Sequence, residues 1–84
     1  MAEGKILMVD DDKEIADLVE IHLKGEGYQV YKAYNGKEAL EIFDAEEIDL
    51  AILDIMMPGM DGNEVCAKIR QTSTIPIIML SAKD

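Results

Sequence analysis

A chain of 84 residues with 49% hydrophobic side chains is long enough for one small packed domain, too short for two, and too apolar for disorder. Its formal net charge of -10 argues against a nucleic-acid or anionic-membrane partner. No apolar run nears the ~20 residues of a membrane span, and Met1-Ala2-Glu3-Gly4-Lys5 lacks the pattern of a secretion signal.

Ile6-Leu7-Met8-Val9 is a continuous apolar run, predicted as a strand buried on both faces and ending in Asp10-Asp11-Asp12. A helix follows over Glu14 to Lys24, with Ile15, Leu18, Val19 and Leu23 spaced to form one buried stripe. Either Asp11 or Asp12 can cap it, and Asp11 has Glu14 at capping-box spacing. Gly25 and Gly27 end this helix, and His22 beside the stripe is a packing or solvent-edge residue. Tyr28 to Tyr34 mixes apolar and polar positions, as an edge strand does, and Asn35-Gly36 reads as a turn. Lys37 to Glu46 carries Ala39, Leu40, Ile42 and Phe43 as a second amphipathic helix.

Leu50-Ala51-Ile52-Leu53 is a third buried strand with Asp54 at its end, followed by a loop marked by Pro58 and Gly59. Asp61, three residues before Glu64, caps a third helix whose inner face is Val65 and Ile69. The lone Cys66 falls in this helical pattern, which predicts a buried thiol; a single cysteine fits a reducing, cytoplasmic compartment. Ile75 to Leu80 is a fourth strand, with Pro76 confined to its start. The order β-α-β-α-β-α-β predicts a parallel sheet with helices on both faces. Because Ile77 to Leu80 has the uninterrupted apolar character of a central strand, a further strand and helix are expected to be missing or supplied by another chain.

Parallel strands bring their C-terminal ends to one rim, where open α/β sheets bind ligands. Asp10 and Asp11, Asp54 and Ser81 are expected there. Taken alone, Asp54 is either a chemical residue or a loop acid, and Ser81 either a ligand to substrate or a local backbone partner. Converging carboxylates repel unless protons or a cation intervene, by about 4 kcal/mol at ~4 Å and an effective dielectric near 20. Hard oxygen donors suit Mg²⁺ or Mn²⁺, and a carboxylate beside such a metal is able to attack phosphorus.

These motifs together resemble the receiver domain of two-component response regulators, over essentially the whole chain. Ile6 to Asp12 resembles the family's first strand and acidic pair, Leu53 to Gly62 its phosphorylation-site motif, and Pro76 to Ala82 its fourth strand with the switch hydroxyl. The resemblance implies a flavodoxin-like (CheY-like) sheet in the order 2-1-3-4. It implies that Asp54 accepts a phosphoryl group from a sensor histidine kinase and that Asp11 ligates Mg²⁺ directly. Asp10 would act mainly through a metal-bound water, the Met56 carbonyl would complete the protein ligands, and Ser81 would bond the phosphoryl group as the switch. Chemistry would then amount to self-phosphorylation and autodephosphorylation, not turnover of a separate substrate. Residues 1–84 correspond to a partial receiver domain, without the family's fifth strand, its lysine and the last two helices.

Two other readings stand beside it. One is an interaction module without phosphotransfer, forming a homodimer or exchanging segments through strand Ile77 to Leu80. The other is a haloacid-dehalogenase-like phosphatase, because Asp10-Asp11-Asp12 contains Asp-x-Asp after a strand. That family has threonine or valine two residues after the second aspartate, and Glu14 stands here. A calcium-binding EF-hand loop fails at its sixth position, Ile15, where glycine is required.

Overall fold

The computed structural model describes residues 4–80. Its elements are β1 (Lys5–Val9), α1 (Lys13–Gly25), β2 (Gln29–Ala33), α2 (Gly36–Ala45), β3 (Leu50–Asp54), α3 (Gly62–Arg70) and β4 (Ile77–Leu80). The strands form one parallel sheet in the order β2-β1-β3-β4, as expected. The apolar runs of β1 and β3 pair as Leu7 with Ala51 and Val9 with Leu53, and β4 joins with Ile77 beside Ala51 and Met79 beside Leu53.

Strand alternation divides these residues between two faces. One face carries Leu7, Val9, Ala51 and Leu53, and it meets Ala39, Val65 and Ile69 from α2 and α3 in the main core. Leu7, Val9, Leu53, Val65 and Ile69 are fully buried there. The opposite face carries Ile6, Met8, Ile52 and Ile78, and it receives α1 over β1 and β2.

Coverage by α1 is partial, which corrects the predicted buried stripe. Ala16 is its one buried residue, whereas Ile15 is 43% and Leu18 57% exposed. The physical reason lies in the sheet: α1 sits over β1 and β2, so the side of the helix turned toward β3 and β4 has no second helix to meet among the described residues. Ile78, on the uncovered part of that face, is 47% exposed. An ion-pair clamp assists the docking of α1. Lys32 Nζ of β2 lies 2.6 Å from Asp17 Oδ1 and 2.8 Å from Glu20 Oε1. The two carboxylates, Asp17 foremost, raise the Lys32 pKa, and Lys32 with Lys24 lowers that of Glu20.

The helix starts settle one open alternative, the α1 cap, and correct two other readings. The α1 cap is Asp12, whose Oδ1 accepts from the Glu14 and Ile15 amides at 3.0 and 3.4 Å; Asp11 makes no capping box. Asn35 is the cap of α2, accepting from the Glu38 amide at 2.8 Å, so Asn35-Gly36 opens a helix where a turn was expected. Asp61 and Glu64 form the expected capping box. Cys66 is half-buried, not buried, and β4 forms an edge of the sheet.

Candidate functional site

Asp10 follows β1 directly, and its amide donates to the Ala33 carbonyl of β2 at 3.1 Å. Asp54 is the last residue of β3. Since Val9 pairs with Leu53, these two acids stand side by side at the C-terminal rim. They are the buried charged residues of the described chain, 4% and 6% exposed. Asp11 stands exposed beside them, and one carboxylate oxygen from each of Asp10, Asp11 and Asp54 lies within 4.8 Å of the others.

Backbone amides hold both buried carboxylates. Asp10 Oδ1 accepts from the Asp12 amide at 2.8 Å, and Asp54 Oδ1 accepts from the Met56 amide at 3.1 Å. Burial raises the Asp10 pKa most; the Asp12 amide opposes it, and the charge of Asp54, a hydrogen-bond contact with it, and Asp11 push further upward. None of the salt bridges among the described residues involves these three acids. The cluster therefore carries negative charge in a partly dry place without an ion-pair partner among the described residues. Three hard oxygen donors with open space beside them are the donor set that a small divalent cation such as Mg²⁺ takes.

That space is an open cavity of about 360 Å³ lined by Asp10, Asp11, Asp12, Ile15, Asp54, Met56 and Leu80. Its apolar wall, Ile15 from α1 and Leu80 from β4, was not singled out from the sequence. The available signals were that Ile15 stands one helical turn after Asp11, and that Leu80 pairs with Asp54. The Met56 side chain is 62% exposed at the mouth. Ser81, expected at this rim, lies outside the described residues.

The loop from β3 to α3 is shaped by close approach. A Cβ on Gly62 would sit 2.4 Å from the Asp54 carbonyl oxygen and 2.9 Å from Ile55 Cα. The Gly62 amide donates to the Ile55 carbonyl at 3.3 Å. Gly59 in the same loop has φ +77°, a backbone conformation open to glycine at little cost.

A parallel α/β sheet with an acidic rim at its C-terminal end defines a class of protein. The response regulator receiver domain matches residues 6–84, and the chain belongs to that family. Among curated proteins it is similar to the regulatory protein VanR of Enterococcus faecium, 64% identical over 80 residues. That match takes in 95% of this chain and 35% of VanR, so the chain spans about a third of that relative's length. Among solved structures it is similar to the response regulator TrrA of Thermotoga maritima in complex with Mg(2+)-BeF, with 44% identity and a TM-score of 0.89, covering 96% of this chain and 71% of that one. A second structure holds TrrA in complex with the histidine kinase ThkA. The chemotaxis protein CheY4 of Vibrio cholerae gives 36% identity and a TM-score of 0.93 over 99% of this chain and 72% of that one.

Proposed function

We propose that this receiver domain is a phosphoacceptor in a two-component system, taking a phosphoryl group on Asp54 from a sensor histidine kinase in the cytoplasm. The observation that carries the reading is the meeting of Asp10, Asp11 and Asp54 oxygens within 4.8 Å at one rim. The TrrA complexes with Mg(2+)-BeF and with a histidine kinase support the metal and the donor by similarity.

Asp54 Oδ forms the new P–O bond as the P–N bond of the donor phosphohistidine breaks and its imidazole leaves. The Met56 amide, bonded to Asp54 Oδ1 at 3.1 Å, fixes the orientation of the attacking carboxylate. Asp11, Asp10, Asp54 and the Met56 carbonyl would hold Mg²⁺, Asp10 mainly through water. Bound there, the metal supplies positive charge against which the phosphoryl oxygens are neutralised; Mn²⁺ has the same ligand preferences. Ser81 would hydrogen-bond the transferred group. Burial of Asp10 and Asp54 strengthens each of these charge interactions relative to open water.

Incubation with Mg²⁺ and a small-molecule phosphodonor, followed by intact mass, tests the reading. One added phosphoryl group is expected on the native chain and none on Asp54→Asn; an adduct that survives this substitution would remove Asp54 from the role. A second reading, self-association through β4, is favoured by the outer edge of that strand, unpaired among the described residues.

A further inference from the structure

Asp12 is the third acid of the run, and it lines the same cavity as the other two. By type and position it would pass for a further metal ligand. Its hydrogen bonds point elsewhere. Asp12 Oδ1 is engaged by the Glu14 amide at 3.0 Å and the Ile15 amide at 3.4 Å, two of the four donors that a helix start leaves open. Its own amide, held in extended backbone at φ -90° and ψ 107°, donates to Asp10 Oδ1 at 2.8 Å. It stands outside the cluster formed by Asp10, Asp11 and Asp54.

Resting on the phosphoacceptor reading above, we propose that Asp12 is a positioning residue. Its carboxylate caps α1, the cap sets the backbone of residue 12, and that backbone aims the Asp10 carboxylate toward Asp11 and Asp54, which together would hold the metal. Two features make the link stiff. The Asp10 amide is tied to Ala33 of β2, so residue 10 has little freedom on its sheet side. On the other side, Lys13 lies over the Tyr34 ring at 5.1 Å from the centroid, which holds the first residue of α1 against the end of the same strand. Asp12 is the joint between these anchored points: its carbonyl accepts from the Ala16 amide at 3.1 Å, and its side chain closes the joint over the Glu14 and Ile15 amides. What it contributes to the site is a hydrogen-bond acceptor at the helix start, not a charge.

That distinction is testable with two substitutions. Asparagine retains the acceptor and removes the charge; alanine removes both. Titration calorimetry with Mg²⁺ alone should find Asp12→Asn within about threefold of the native affinity. Asp12→Ala should bind about tenfold more weakly, the usual cost of losing a group that orients a metal ligand. His22→Gly, which weakens the same helix at its far end, should leave the affinity unchanged, separating positioning from general loosening of α1. Equal losses in Asp12→Asn and Asp12→Ala would overturn the proposal, because charge would then be the working property. Amide hydrogen exchange gives a readout that needs no metal. The Asp12 amide should stay protected in Asp12→Asn and lose protection in Asp12→Ala, and unchanged protection in Asp12→Ala would overturn the proposal also. Native chain that takes up no Mg²⁺ would count against the phosphoacceptor reading itself, and the exchange experiment would still decide the role of Asp12.

Discussion

Asp10 is stabilised in position and destabilised in charge. Its Oδ1 has the Asp12 amide, yet burial and the neighbouring Asp54 raise its pKa. The folded chain therefore keeps a proton there over a range in which the unfolded chain has released it. As pH climbs from the ordinary value of 3.8 through the raised one, folding loses the stability this group contributes in acid. Without Mg²⁺, Asp10→Asn should therefore melt higher than the native chain at neutral pH. Asparagine keeps an oxygen for the Asp12 amide and drops the charge beside Asp54; a gain on the order of 1 kcal/mol would move Tm by about 4–8 °C. Adding Mg²⁺ should raise Tm of the native chain and scarcely move the variant, because only a state that binds the ion gains from it. Thermal melts with and without the ion check both signs.

Among the elements, α3 imposes the tightest demand, because its first turn rests on the backbone that ends β3. Gly62→Ala would press a methyl group into the Asp54 carbonyl oxygen, 2.4 Å away before any adjustment. Overpacking of this kind costs about 1–3 kcal/mol, and denaturant titration should register it as a lower midpoint with an unchanged slope. What was legible in the sequence at this scale is the β-α alternation, the sheet order implied by family resemblance, and the Asp61 cap with Glu64 three residues on. What was not legible depended on neighbours. Ile15 and Leu18 have core-like spacing, but whether a stripe is buried depends on what lies opposite, and sequence periodicity carries no record of that. Asn35-Gly36 carries a strong turn signal, and Glu38 three residues on is the competing clue to a helix start. The convergence of Asp10, Asp11 and Asp54 was foreseeable because parallel strands must share a rim, whereas the amide bonds that aim Asp10 and Asp54 follow from local backbone geometry.

For the molecule as a whole, one flank matters most. Ile15, Leu18 and Ile78 are exposed on the α1 side of the sheet, and the outer edge of β4 is unpaired among the described residues. Exposed apolar strand edges pair with other chains. Light scattering of this 84-residue chain should therefore show mass rising with concentration, and Ile78→Lys, a charged residue on that edge, should reduce the rise. A monodisperse monomer at every concentration would count against pairing through β4.

The lopsided dressing of the sheet also sets the order in which the molecule comes apart. Local opening begins where apolar contacts are few, and among the helices α1 has the fewest buried residues, Ala16 alone. The first turn of α1 is where Asp12 supports Asp10, so fraying on this side disarms the acidic rim while Leu7, Leu53 and Ile69 remain packed on the other. A gently warmed chain would thus go blind to magnesium before its interior melts, and a probe of the far-side core would report it as intact.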